Sequence, residues 1–396
     1  MTLGTAFHPR TTDLNQKLAW EDWSGYFAAS VYADYHDIEY SAIREQVAAI
    51  DVSPLYKYVV TGRDAMRLVD RVITRDATKQ QVGQVYYAVW CDERGKVVDD
   101  GTITRLDDTA YRWTAAEPSL RWLELNAEGL DVSIEDSTDE VAALAIQGPN
   151  ARKLLEEVTL EAWSDVRYYR ERRTMIAGVS VDVTRTGYTG DLGYELWVDV
   201  EGALDVWDAL FDVGPAYGLR PAGTRALDVV RIEAGLILID ADYTGSRQAV
   251  SAEQEYSPFE IGLGRLVKLD KAQFVGKRAL IAEQEAGGAP RQLVGLTYDY
   301  QDIAAAFAAH GLPVTLLPES SSEKVPLTIR GRAVGRVTSS TWSPILKRMI
   351  ALGSVDRQHA EPGTRLRLDW PVEGRRHPVV ATVVPLPFLD LPRKRE

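Results

Sequence analysis

Cysteine occurs once in 396 residues, at Cys91. That excludes a disulfide within the chain and any cysteine-built zinc cluster, and it is the usage expected of a protein in a reducing cytoplasm. The five histidines, His8, His36, His310, His359 and His377, stand far apart with no H-x-x-x-H or H-x-H spacing. A metal would have to draw on distant carboxylates, so no metal site is expected. No run of about 18 uninterrupted apolar residues is present, and the opening M-T-L-G-T-A-F-H-P-R lacks an apolar core of signal-peptide length, so neither a membrane span nor secretion is expected. Positive charge is scarce as well: 45 Lys and Arg against 58 Asp and Glu leave a net charge of −13. The short Arg393-Lys394-Arg395 tail cannot supply the concentrated basic field that nucleic acid requires.

What is present is core material. A 45% hydrophobic composition over this length predicts a globular chain of two or three domains. The most pointed stretch is Thr184 to Trp197, T-R-T-G-Y-T-G-D-L-G-Y-E-L-W, where Gly187, Gly190 and Gly193 recur at every third position between two β-rich runs. Such spacing predicts a tight hairpin with room for something beside its backbone. Tyr188 offers a ring to stack on, and Asp191 and Glu195 offer carboxylates for the N–H donors of a flat heterocycle. An ordinary glycine-rich hairpin with solvent-facing acids fits the spacing equally well.

Around this stretch the pattern alternates between strands and helices. Aromatic, irregular residues up to about 36 precede a helical pattern with Ile43, Val47 and Ile50 on one face. A strand, a Thr61-Gly62 turn and a helix begun by Asp64 follow, then a hairpin over residues 84–106, a strand Y-R-W-T-A-A and a helix from Pro118. The order strand, turn, helix returns after Asp131, as in a second copy of one α+β unit. Beyond the organising hairpin, a helix over 202–217 precedes P-A-G-T-R-A-L-D-V-V-R-I-E-A-G, whose Arg225, Asp228, Arg231 and Glu233 have the density of a solvated face. After a linker-like E-Q-E-A-G-G-A-P-R, short alternating runs predict a small antiparallel barrel.

R-T-G-Y-T-G-x-x-G-Y-E resembles the folate-site motif of the glycine cleavage T-protein family of aminomethyltransferases and their demethylase relatives. The resemblance runs from I-D-V-S through Pro387 and rests on further motifs in the same order: Asp51-Val52-Ser53, G-x-x-x-D-D at Gly95 to Asp100, A-I-Q-G-P-N at Ala145 to Asn150, L-D-V-V-R-I-E-A-G at Leu227 to Gly235, and V-G-R-V-T-S-S-T-W-S-P at Val334 to Pro344. It implies an α+β fold. Two related lobes over residues 1–285, with a boundary near 130–140, would surround a central folate-binding hole, and an antiparallel β-barrel domain would occupy 290–396.

The resemblance also implies roles. Glu195 is the expected pterin-binding carboxylate, with Asp191 a weaker candidate in the same turn, and Tyr188 and Tyr87 are expected beside the cofactor tetrahydrofolate. Asp99 is expected near the reactive folate nitrogens, with the other catalytic candidate, Asp100, on the opposite strand face. Arg231 is expected to meet an acidic partner or the folate's glutamyl carboxylate; a helix salt bridge with Asp228 or Glu233 explains it equally well. Three departures fall on the substrate side: Pro54 replaces a histidine, Ala115 an asparagine and Leu227 an arginine. A demethylase that moves a methyl group from a small methylated metabolite to tetrahydrofolate is thus the leading expectation. Aminomethyl transfer from a lipoyl carrier protein is the second, and a folate-binding accessory protein without turnover the third.

Overall fold

The structure is a computed structural model that describes residues 2–316 and 319–396. It is α+β, with an N-terminal two-stranded hairpin (Ala19–Trp23 and Tyr26–Val31), two larger open sheets and a closed barrel among the described residues. The first sheet is antiparallel and five-stranded, in the order Val85–Cys91, Val97–Arg105, Ala110–Ala115, Tyr56–Thr61, Ser133–Asp136. The helix Ala65–Val72 buries Ala65, Leu68, Val69 and Val72, a helical stripe, together with Trp122 and Leu123 of the helix Leu120–Asn126. On the other side Val89, Cys91 and Val97 meet Ile237, Ile239, Tyr243, Tyr256 and Phe274 from residues 235–276, a segment with only short 3-10 turns.

The second sheet has six strands in the order Glu171–Ile176, Val179–Thr184, Gly193–Asp199, Val141–Gln147, Val47–Asp51, Leu219–Pro221, the last pair parallel and the rest antiparallel. Helices Ala151–Thr159 and Ala203–Val213 cover one face, and helices Asp37–Glu45 and Thr224–Glu233 the other. The single helical stripe expected through Ile50 is therefore not formed. The helix stops at Glu45, and Val47–Asp51 is an inner strand of this sheet. Its run V-A-A-I is buried on both faces, so the alternation that marks a strand is missing. The first sheet ends at Asp136 and the second resumes at Val141, yet Val47–Asp51 belongs to the second, so that unit is discontinuous in sequence.

The barrel closes through six strands in the order Arg291–Tyr298, Arg348–Asp356, Arg332–Ser343, Pro326–Ile329, Arg365–Val372, Arg375–Val384. Closure leaves no sheet edge to pair with another chain. The helix Tyr300–Ala308, capped by Asp299 accepting from the Gln301 amide at 2.9 Å, adds Ile303 and Ala306 to the barrel's core. Among the described residues no helix is long and apolar enough to cross a membrane.

The charged helix Thr224–Glu233 binds barrel to sheet, contrary to the solvated face its composition implies. Arg231 and Glu233 are buried. Arg231 donates to Asp242 at 2.5 Å, to Asp228 at 3.0 Å and to the Ser339 hydroxyl at 3.0 Å. Glu233 accepts from Arg44 at 2.7 and 3.0 Å, from Tyr40 at 2.8 Å and from Ser343 at 2.6 Å. Every charge buried here has an opposite partner, which is the condition for burying it.

Candidate functional site

A cavity of about 500 Å3 opens where the two sheets and residues 235–240 meet. Strand Val97–Arg105 pairs with Val85–Cys91 so that Asp100 lies opposite Val89 and Tyr87 opposite Thr102. Asp100, Thr102 and Tyr87 line the cavity. The expected order of the two acids is reversed. Strand alternation does separate them, but the cavity lies on the Asp100 side, and Asp99 is fully buried. Asp99 accepts the backbone N–H groups of Asp100 at 2.7 Å, Ala116 at 3.1 Å and Glu117 at 3.0 Å, and so pins the turn after strand Ala110–Ala115.

Asp100 instead receives two phenols. Tyr87 donates to Oδ2 at 2.6 Å, and Tyr243 donates to Oδ1. Burial pushes the Asp100 carboxyl above its usual range, and the two hydroxyl donors oppose that rise. Burial and the neighbouring Asp100 charge push Asp99 well up. Both phenols are pushed well above the usual tyrosine value by burial and by Asp100, and so stay protonated donors.

Across the cavity, Glu195 stands on strand Gly193–Asp199 opposite Thr184 and Ala145. Its Oε2 accepts from the Thr186 hydroxyl at 2.5 Å, and Oε1 has no protein donor among the described residues. Burial raises its carboxyl, while Thr186 and the positive Arg112 lower it. Arg112 is buried, donates to Asp182 at 2.9 Å and lies 4.8 Å from the Trp197 ring centroid. Tyr188 also lines the cavity, its hydroxyl tied to the Ile237 carbonyl. One free carboxylate oxygen beside the rings of Tyr188 and Trp197 is a fit for a flat ring bearing N–H donors, so the residues present suit a pterin.

Other sequence expectations find different explanations. The room at the three glycines is filled by the protein itself: a Cβ at Gly187 would lie 2.1 Å from Gln147 Oε1, one at Gly193 2.3 Å from the same amide, and one at Gly190 2.4 Å from the Ala234 Cβ. Gln147, from A-I-Q-G-P-N, is buried between the hairpin arms, where its amide donates to the Thr186 carbonyl at 3.2 Å and accepts from the Thr189 hydroxyl at 2.7 Å. Asp191 does not reach the cavity. It accepts from Arg393 at 2.6 and 2.8 Å and from Arg44 at 3.3 Å, so it anchors the C-terminal tail. Arg231 likewise is held by Asp242 and Asp228, away from the cavity lining.

Residues without a sequence signal complete the walls: Trp23 from the N-terminal hairpin, Glu117, the adjacent Tyr168 and Tyr169, Asp240 and Lys394. Tyr169 carries a left-handed backbone (φ 62°), rare for a bulky residue and typical of functional sites. Two of the three departures, Ala115 and Leu227, are on the wall. The third, Pro54, lies in a loop whose Ser53 and Leu55 carbonyls accept from the buried Lys57 ammonium at 2.6 and 2.7 Å. Arg225 does not replace the arginine missing at Leu227, since it pairs with Glu319.

Two sheet-based lobes with an acid-lined cavity where they meet, followed by a C-terminal barrel, define a class. Residues 10–271 match the GCVT N-terminal domain and residues 291–390 the glycine cleavage T-protein C-terminal barrel domain, and the chain belongs to this family. It is a folate-dependent transferase of that family. Among its relatives, an aminomethyltransferase of Saccharopolyspora erythraea is 36% identical over 88% of this chain and 89% of its own, and one of Caldanaerobacter subterraneus is 33% identical over 87% and 86%. A trimethylamine-oxide aldolase of Ruegeria pomeroyi is 35% identical over the whole of this chain, which spans 48% of that protein. The crystal structure of the glycine cleavage aminomethyltransferase T of Bartonella henselae superposes with a TM-score of 0.82 at 22% identity, over 98% of this chain and 99% of that one, and has the same fold.

Proposed function

We propose that the protein moves a methyl group from a small methylated cation, an ammonium or a sulfonium, to tetrahydrofolate. The observation that carries this reading is the charge of the cavity. Among the described residues seven carboxylates line it (Glu21, Asp22, Asp100, Glu117, Glu195, Asp240 and Asp228, the last paired with Arg231) against one lining cation, Lys394. Low-dielectric walls focus such a field and favour a positive guest, and Trp23 adds an aromatic face of the kind quaternary groups prefer. Ala115 and Leu227 make this side less polar than the asparagine and arginine of the aminomethyltransferase motifs.

Tetrahydrofolate supplies the nucleophilic ring nitrogen that accepts the carbon. Glu195 would hold the ring through its free oxygen, and Tyr188 would lie against it. Asp100, oriented by the Tyr87 and Tyr243 hydroxyls, takes the proton that this nitrogen loses when it is methylated. The donor's carbon–nitrogen or carbon–sulfur bond breaks with the electron pair returning to the heteroatom. A cationic donor therefore leaves as a neutral molecule and needs no acid. Asp99 acts through the backbone as a positioning residue.

Incubation with tetrahydrofolate and matched N-methyl cations, S-methyl cations, methoxyarenes and an aminomethyl-loaded lipoyl carrier tests the reading. Methyl-tetrahydrofolate formed from a cationic donor is expected. Methylene-tetrahydrofolate and ammonia formed from the lipoyl carrier alone would replace it with aminomethyl transfer, the activity named for several relatives. Binding without turnover of any donor would leave the accessory role.

A further inference from the structure

Glu195 stands at the end of a hydrogen-bond chain that has a direction. Register sets Thr184 beside Glu195 and Asp182 beside Trp197, so these four side chains share one face of the second sheet, with Thr186 just beyond. The Trp197 indole N–H donates to the Thr184 hydroxyl at 3.1 Å, the Thr184 and Thr186 hydroxyls lie 2.7 Å apart, and the Thr186 hydroxyl donates to Glu195 Oε2 at 2.5 Å. Thr184, Thr186 and Trp197 are all buried. An indole N–H can only donate, and each hydroxyl has one proton to give. All three contacts are satisfied at once when Thr184 donates to Thr186 and Thr186 to an ionised Glu195. A proton on Oε2 would reverse the chain: Thr184 would receive two donors, and its own proton would be left with the Glu195 carbonyl at 3.4 Å.

A cation closes the other end. Arg112 reaches across from strand Ala110–Ala115 of the first sheet, donates to Asp182 at 2.9 Å and sets its guanidinium 4.8 Å from the Trp197 ring centroid. It is buried, and its Nε and Nη2 meet no acceptor among the described residues. Asp182 is already served by Arg173 at 2.7 Å, so pairing with Asp182 does not account for a second, buried arginine. The Arg112 charge does act on Glu195, where it opposes the rise that burial causes. The other ionisable groups facing this block are Glu171, beside Arg112, and Tyr168 and Tyr169, whose phenols burial keeps protonated.

We infer that Trp197, Thr184 and Arg112 are positioning residues for folate binding, which hold Glu195 as an ionised acceptor with Oε1 free. The inference rests on Glu195 receiving the pterin. A carboxylate accepts a hydrogen bond about twice as strongly as a neutral group, so whatever keeps Glu195 ionised sets the lower pH limit of folate binding. Affinity is lost as pH falls through the Glu195 titration, and removing a donor or a cation that favours the charged form moves that loss to higher pH.

Calorimetric titration of the whole protein with tetrahydrofolate, repeated between about pH 8 and pH 5, reads the chain without turnover. Trp197→Phe keeps an aromatic ring and removes the N–H. Its affinity is expected to fall about fivefold at about pH 7, the scale of one hydrogen bond, and the pH at which affinity is half lost should move up. The ligand's own titration is common to every variant, so the displacement belongs to the protein. Thr184→Val should reproduce both effects, the double substitution should add little to either, and Thr184→Ser should keep the parent's profile. Arg112→Met should move the midpoint in the same direction, with Asp182 still paired to Arg173. Melting curves taken beside each titration identify unfolding, and Thr184→Val, which keeps the shape of threonine, carries the test if Trp197→Phe does not fold. Affinity reduced by one factor at every pH would mark a packing role and overturn this inference alone, as would parent-like profiles in Trp197→Phe and Thr184→Val. Failure of the unaltered protein to bind tetrahydrofolate, or a Glu195→Gln variant that binds it as tightly as the parent, overturns the pterin assignment and this inference together.

Discussion

Exchanging each of the adjacent aspartates for asparagine separates catalysis from architecture, because the two acids have different kinds of donors. Asp100 is met by two phenols, and a hydroxyl can turn to accept. In Asp100→Asn the new NH2 can donate to one tyrosine while the other keeps its bond, so the fold should melt within about a degree or two of the parent. What is lost is the proton acceptor. Turnover should fall on the order of a hundredfold or more, equivalent to roughly 2.7 kcal/mol in the barrier, with folate affinity changed far less. Asp99 is met by three backbone N–H groups, which cannot become acceptors. Asp99→Asn sets an NH2 against at least one of them, at a cost of roughly 1–3 kcal/mol for the unsatisfied donor. Its melting temperature should drop by several degrees, and the activity of the folded fraction should be largely kept. Single-turnover rates with tetrahydrofolate and the best donor, measured beside thermal melts, give both readouts. The assignment is refuted if Asp100→Asn turns over normally, or if Asp99→Asn loses activity without losing stability.

Other outcomes follow from the same geometry. Glu195→Gln should weaken tetrahydrofolate binding at least about tenfold by calorimetry, since it exchanges a charged acceptor for a neutral amide. Burial raises the Asp100 carboxyl, and a base must be ionised to act, so activity should fall as pH drops through a value above the ordinary carboxylate range of about 4; a pH–rate profile flat down to pH 4 would exclude Asp100 as the base. Gly187→Ala should destabilise by roughly 1–3 kcal/mol because its Cβ meets Gln147, and adding Gln147→Ala should recover part of that loss in a double-mutant cycle. Arg44→Leu should cost roughly 3–5 kcal/mol in denaturant unfolding, as Glu233 would keep only hydroxyl donors in a buried site.

Local chemistry was readable from the chain. The helix after Thr61-Gly62, the hairpin arms around Gly187 to Gly193 and the alternating runs of the barrel each follow from a period that neighbouring residues impose on themselves, although that helix buries Ala65 and Leu68 beside Val69 and Val72 and leaves Met66 only partly covered. Ordered motifs carried the family, and with it Glu195, Tyr188 and Tyr87 at one cavity. Sequence could not say which side of strand Val97–Arg105 the cavity would take, because alternation puts Asp99 and Asp100 on opposite faces without ranking them. That choice belongs to residues 235–243, which bring Tyr243 onto Asp100 from 143 positions away and have no periodicity of their own. The same holds for the glycines, whose missing side chains make room for Gln147, 40 positions before Gly187, and for Arg231, Glu233 and Asp191, whose charges look solvated until partners from the barrel, the helix Asp37–Glu45 and the C-terminal tail arrive. A buried charge or an absent Cβ has meaning only against the atoms it faces, and those are chosen by the tertiary fold rather than by neighbours in the chain.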